Sequence, residues 1–173
     1  MGDLLADVRY EFRRSKDLAD RAMAQLDDQE FFRRPANHVN PVAVIVKHLA
    51  GNLASRWTDF LSGDGESAGR DRDGEFLLSG GDTREKLLAA WEGGWKALFD
   101  TLGRLQGSDL DKFVTIRGER HSVPQALLRG LSHAAYHTGQ ILYLVRLWRP
   151  DSPWLTIAPG QSRAAHGGYL RGR

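Results

Sequence analysis

The sequence predicts an all-α protein: a four-helix bundle with one short β-hairpin before the last helix and an irregular C-terminal tail. Three observations lead there. Four long stretches repeat apolar residues at three- and four-residue spacing, with charges between. Only one short run, 113 to 122, has an extended pattern with a glycine at its centre. The chain's 173 residues suit one domain, 1 to 173, with a core large enough to need no staples. Helices of about 22 to 27 residues, roughly 33 to 40 Å long, would pack as a bundle with one crossover connection.

The first helix is read from Asp3 to Asp28, on Leu4, Leu5, Val8, Phe12, Leu18, Ala22 and Leu26. A loop with Pro35 is expected from Glu30 to Asn40. The second helix takes Asn40 as its N-cap and Pro41 as its first residue, and ends near Ser62-Gly63. A polar stretch rich in Gly, Asp and Arg follows to Gly81, with Phe76-Leu77-Leu78 tucking it against the bundle. The third helix starts at Asp82, with Glu85 at capping-box spacing, and runs to about Leu105. Gly93-Gly94 inside it suggests a close helix approach or a bend, since glycine is costly there. The hairpin is expected to turn at Gly118-Glu119 in a type II′ conformation. Ser122 with Gln125 forms a capping box for the fourth helix, which tolerates Pro124 in its first turn and stops near Trp148. The tail, 151 to 173, should dock through Trp154, Leu155 and Ile157, either as one wall of the functional cleft or in a dimer interface.

Composition narrows the chemistry. Cysteine is absent, so disulfides, thiolate metal sites and a cysteine nucleophile are excluded, and any metal must be held by His, Asp or Glu. No apolar run reaches the ~18 residues that span a bilayer, and the N-terminus does not read as a signal peptide. No membrane partner and a cytoplasmic location are expected. Basic residues number 24 against 22 acidic ones, with acids between the clusters, so no nucleic-acid partner is expected either.

The informative segment is Leu131 to Gln140. His133 and His137 are four residues apart, so both rings leave the same helix face. That face also carries Ala126, Gly130, Ile141 and Leu144, and points into the bundle. Buried imidazoles need partners for both ring nitrogens. A metal ion supplies one to each ring, while hydroxyls or waters are the bland alternative. His48, near the middle of the second helix, can join them if helices two and four pack side by side. His38, His121 and His166 are read as surface or loop residues.

With His48 and the run His133-x-x-x-His137-x-Gly139-Gln140-Ile141, the chain resembles the DinB/YfiT-like superfamily of metal-binding four-helix bundles. Within it, the chain closely resembles a bacterial family named only as a domain of unknown function. The matching segments are 40–42, 48–52, 55–60, 72–76, 116–119 and 154–162, so the likeness spans nearly the whole chain. It implies a mononuclear divalent site of His48, His133 and His137, completed by water, with zinc or nickel as the metal. It also implies homodimers and, in many relatives, thiol-dependent transferases or isomerases that use a low-molecular-weight thiol and a small-molecule substrate.

Three neutral imidazoles leave a zinc-type ion with open positions, the mark of a catalytic site. Asn52, Arg129, Tyr136 and Gln140 are candidates for orienting the ligands or touching substrate; for Asn52 and Arg129, a solvated flank position is the bland alternative. No acid on the histidine face offers itself as a general base, which weighs against a hydrolase. The rival expectation is a non-enzymatic metal-binding or stress-related dimerisation scaffold.

Overall fold

The computed structural model describes residues 3–66 and 69–165, so His166 and the end of the tail lie outside the described residues. The chain is predominantly helical. In order it forms α1 (Leu4–Met23), α2 (Asp28–Phe32), α3 (Val42–Trp57), α4 (Arg84–Arg104), the strands β1 (Phe113–Ile116) and β2 (Glu119–Ser122), and α5 (Val123–Trp148). Two short 3-10 helices, Gly74–Phe76 and Gly107–Asp111, lie in the connections.

Several boundaries differ from those expected, each for a local reason. Helix α1 begins as read, with the Asp3 carboxylate accepting from the Leu5 and Ala6 N–H groups, but it stops at Met23. The expected extension to Asp28 is replaced by the separate helix α2. A capping box opens α2: Asp27 accepts from the Glu30 N–H, and Glu30 accepts from the Asp27 N–H. Apolar spacing from Leu18 through Leu26 runs on across the break and hides it.

Helix α3 starts one residue later than read. Pro41, not Asn40, is its N-cap, with no side-chain bond. Helix α3 also ends at Trp57 rather than near Ser62, because Asp59 turns left-handed at φ 53°. Phe60 nevertheless returns to the core and stacks on Trp57 at 4.9 Å. Helix α4 is capped by Thr83, whose hydroxyl accepts from the Lys86 N–H, and not by Asp82. Asp82 instead accepts from Lys47 at 3.0 Å and from the Ser79 N–H at 2.7 Å.

The hairpin is also shifted. Ile116 pairs with Glu119, so the turn is Arg117-Gly118. Both residues have positive φ, 54° and 75°, which matches a type I′ turn rather than II′. Arg117 tolerates this conformation because Asp64 reaches across to it. The Asp64 carboxylate accepts from the Arg117 and Gly118 N–H groups, both at 2.8 Å.

The N–H groups of Gly118, Glu66 and Arg117 hold the Asp64 carboxyl below its ordinary 3.8. A carboxylate with a depressed folded pKa stabilises fully above its unfolded pKa, and that stability is lost as pH falls through the folded pKa. Asp64→Asn is therefore expected to be less stable than wild type at pH 7, with the gap shrinking as pH drops below about 4. Urea unfolding at pH 7 and pH 3 measures both gaps; equal gaps would show that Asp64 does not hold the turn through its charge.

The four long helices α1, α3, α4 and α5 share one core. Helix α3 lies along α4 and α1 lies along α5, with further contacts between α3 and α5 and between α1 and α4. Trp57, Trp91, Trp95 and Phe12 are fully buried, and Phe12 meets Trp57 edge-on at 5.7 Å. The α3–α4 contact explains one of the paired glycines. A Cβ on Gly94 would stand 2.8 Å from the Ala50 carbonyl oxygen of α3, and that backbone cannot yield. Gly93 meets nothing within 4 Å. Gly94→Ala should therefore destabilise the fold, whereas Gly93→Ala should stabilise it by about 0.5–1 kcal/mol. Thermal melts of the two variants check this: shifts of the same sign would contradict the close approach.

The tail does not wall the histidine cleft among the described residues. It lies instead along the C-terminal half of α5, and of the three residues expected to dock it, Trp154 and Ile157 remain exposed. Arg146 donates to the carbonyls of Pro150 and Ser152 and lies over the Trp154 ring at 4.2 Å. Trp154 and Leu155 border a separate cavity with Gln25, Leu142 and Tyr143.

Candidate metal centre

Helix α3 delivers His48, and α5 delivers His133 and His137 one turn apart. The ring centroids lie 5.4 Å apart for His48–His133, 5.0 Å for His48–His137 and 4.7 Å for His133–His137. One ring nitrogen from each lies within 4.8 Å of the other two, a grouping that can hold a metal ion. His48 and His137 are buried, and His133 is half-buried at the rim of a cleft.

The environment orients the rings. His48 Nδ1 is 2.8 Å from a Glu75 carboxylate oxygen, and the His48 ring lies against Phe76 at 4.6 Å. His137 Nδ1 is 2.8 Å from Gln140 Oε1. An amide oxygen only accepts, so His137 carries its proton on Nδ1 and presents Nε2 as a lone pair. The Glu75 bond favours the same tautomer at His48. His48 Nε2 and His133 Nε2 face each other at 3.4 Å. Two nitrogens bound tetrahedrally at about 2.1 Å from one ion would stand about that far apart. His137 Nε2 is buried without a hydrogen-bond partner among the described residues. That orphaned nitrogen and an all-imidazole donor set suit a borderline divalent ion such as zinc or nickel.

Electrostatics keep His133 and His137 neutral near pH 7. Burial, then the neighbouring His137 and His48, pushes the His133 pKa down to about 3. Burial also takes His137 down to about 4, against the opposing bond from Gln140. Glu75 stays ionised: burial alone would raise its pKa, but the bonds from His48 and Arg70 outweigh it and lower the pKa. Arg70 grips both Glu75 oxygens at 2.7 Å. The chain Arg70–Glu75–His48 is the carboxylate–histidine arrangement that fixes metal ligands elsewhere.

Of the residues singled out from the sequence, Gln140 orients the His137 ring, and Tyr136 lies against His137 at 4.2 Å. Asn52, Arg129 and Tyr136 line a cleft of about 390 Å³ that opens beside His48 and His133. His121 sits half-buried on β2, 2.9 Å from an Arg129 nitrogen, outside the cluster. His38 is exposed.

Sequence reasoning missed Glu75 and the arginines Arg56, Arg70, Arg72 and Arg117. The expectation of no acid concerned the histidine face alone; the acid that meets His48 comes from the loop, which folds back to place Glu75 on it. One sign was present. Gly51 lies inside α3, three residues after His48, and a Cβ there would collide with the Glu75 carboxylate. That glycine makes the room in which the acid sits.

Fold and site together define a class: a predominantly helical protein in which a hairpin leads into a helix carrying two of three clustered histidines. The chain belongs to the family described as protein of unknown function (DUF1572), whose model matches residues 2–161. Among solved structures, it is similar in fold to the conserved protein of locus from Enterococcus faecalis. The TM-score is 0.63 at 15% identity, over 85% of this chain and 98% of that one. Among curated proteins none matches the chain.

Proposed function

We propose that this chain is a DinB/YfiT-like four-helix bundle, one domain over 1–173, that binds one divalent ion through His48, His133 and His137. We further propose that it uses that ion to transfer or isomerise with a low-molecular-weight thiol. The observation that carries this reading is the convergence of three imidazoles, one with an orphaned buried Nε2, at the edge of an open cleft. A structural centre would be closed on all sides; this one has a half-buried ligand facing the cleft. When bound, a zinc or nickel ion supplies Lewis acidity and favours the thiolate form of a sulfur ligand at neutral pH.

The chain's own groups do the rest. Glu75 and Gln140 hold two rings with their Nε2 atoms turned inward. Phe76 and Tyr136 cover ring faces and limit water on those sides. Asn52, Ser132 and the Tyr136 hydroxyl offer neutral hydrogen-bonding groups at or near the cleft wall, suited to orienting a substrate. Among the described residues, no helix is long and apolar enough to cross a membrane.

The test is metal analysis of the purified protein, then a screen of mycothiol, bacillithiol and glutathione with small electrophiles. Conversion by the metal-loaded protein and not by the stripped protein is expected. Metal-loaded protein that consumes no thiol in any combination would overturn the transferase reading and leave a metal-holding scaffold. The proposed homodimer is checked on the same samples by light scattering.

A further inference from the structure

The cleft beside the histidines is lined by four arginines, Arg56, Arg72, Arg117 and Arg129, and by no carboxylate. Two acids stand behind it, and both are committed. Glu75 takes Arg70 and His48, and Glu66 takes Arg70 and Arg117. Arg72 faces the exposed Asp73 at 3.5 Å. Arg56 and Arg129 remain without an acidic partner among the described residues. Arg129 meets His121, and Arg56 has a buried Nε with no hydrogen bond.

Arg56 is the informative one. It is 8% exposed, and its Nε is buried without a hydrogen bond. Its stem is fixed from above: a Cβ on Gly65 would stand 2.8 Å from Arg56 Cδ. The charges of Glu66 and Asp64 reach Arg56, but neither carboxylate pairs with it directly. A rigid, nearly buried guanidinium with no direct ion pair is expensive to keep in a fold. Packing alone does not account for it, since an apolar side chain of that volume would serve better. Burial, followed by the charge of Arg129, lowers its pKa to about 10, so it still carries its full charge near neutral pH.

We propose that this cleft seats the carboxylate or phosphate group of a small anionic substrate between Arg56 and Arg129, beside the three histidines. The proposal deepens the reading of the site as a catalytic metal centre and rests on it. A guanidinium presents a planar fork that matches an oxyanion, and two such forks, one from α3 and one from α5, give the ligand a direction as well as a charge. The volume suits a small molecule. The anion supplies the direct ion pair that Arg56 lacks, and the rest of the substrate then lies toward His48 and His133.

The test uses the full chain, stripped of metal by a chelating resin, at constant ionic strength. Succinate, inorganic phosphate and the neutral isostere succinamide are added in turn, and melting temperature and binding heat are read. Succinate or phosphate should raise the melting temperature, and succinamide should not; which anion responds separates the carboxylate from the phosphate source. Arg56→Met should weaken the responding anion by roughly ten- to a hundredfold, while its own melting temperature without anion stays equal to or above wild type. Arg129→Ala, an exposed change that leaves the core intact, should weaken the same anion and serves if Arg56→Met does not fold.

No response in wild type, or an undiminished response in these variants, would overturn the inference. So would a response that appears only in metal-loaded protein and survives Arg56→Met, since the anion would then be a ligand of the ion. Metal binding is measured on the same samples. Its presence without an anion response sinks this inference alone, and an anion response without metal binding sinks the metal centre alone.

Discussion

His137→Ala should take the protein from one divalent ion per chain to substoichiometric metal, read by elemental analysis after dialysis. The variant removes the ring whose Nε2 is buried and unpartnered, leaving His48 and His133 as a pair. Two neutral imidazoles hold an ion far less firmly than three on a preformed face. The exposed His38 is the control: His38→Asn tolerates the left-handed φ of 65° there and should keep full metal. The same pair of variants reads out in stability. An ion at a hundredfold excess over its dissociation constant stabilises the folded state by about 2.7 kcal/mol, or roughly 5–10 °C for a chain of this size. Wild type and His38→Asn should lose that increment on chelation, and His137→Ala should not respond. The apo protein should remain folded, because its core of Trp57, Trp91, Trp95 and Phe12 does not depend on the ion. Full occupancy in His137→Ala would remove it from the ligand set.

Glu75→Ala is expected to be the most damaging single change outside the histidines, and to act twice. It takes from Arg70, whose side chain is 4% exposed, the carboxylate that grips it most closely, leaving only Glu66. Removing one member of a buried pair typically costs about 3–5 kcal/mol; Glu66, 3.3 Å from Arg70, keeps the loss at the lower end of that range. It also frees His48 Nδ1, so the ring is no longer pinned with Nε2 inward. Loss of such an outer partner usually weakens metal binding by about 10- to 100-fold. Glu75→Gln separates the two effects. It keeps an acceptor for His48 and the shape of the loop, so metal binding should recover more than stability does. Denaturant unfolding and competition against a zinc indicator give the two numbers. A Glu75→Ala protein with wild-type metal affinity would show that His48 needs no partner to be oriented.

The legible part of this protein is the part written in helical periodicity. Four long amphipathic stretches and the four-residue spacing of His133 and His137 follow from one rule of side-chain direction. That rule also placed Ala126, Ile141 and Leu144 on the buried side of α5. Helix ends were less legible, because capping is decided by hydrogen bonds that compete locally. Asp82 has the chemistry of an N-cap, yet it is drawn to Lys47 and Ser79, and Thr83 takes its place. The turn of the hairpin moved by one residue because Asp64, more than fifty positions away, stabilises positive φ at Arg117. Periodicity carries no information about such a partner.

The same limit explains the site. Its three clustered histidines could be read from helix positions, but Glu75, Arg70 and Arg72 come from an irregular loop with no repeat. Arg56 has the pattern of an ordinary polar residue in the last turn of a helix, and only the approach of Gly65 and α5 makes it buried. Trp154 shows the converse error. Read as needing to dock, it stays 49% exposed, as Ile157 does at 56%, with Arg146 over its ring and no contact beside the histidines.

The central claim, an ion held by His48, His133 and His137, is tested most directly by X-ray absorption at the metal edge of the zinc- or nickel-loaded protein. The account predicts a first shell containing three imidazole nitrogens at about 2.0–2.1 Å, with the multiple-scattering signature of histidine rings and the remaining positions filled by light oxygen ligands. The imidazole number should fall in His48→Ala and in His133→Ala. A first shell of oxygens with one imidazole or none, or a spectrum unchanged in those two variants, would contradict it.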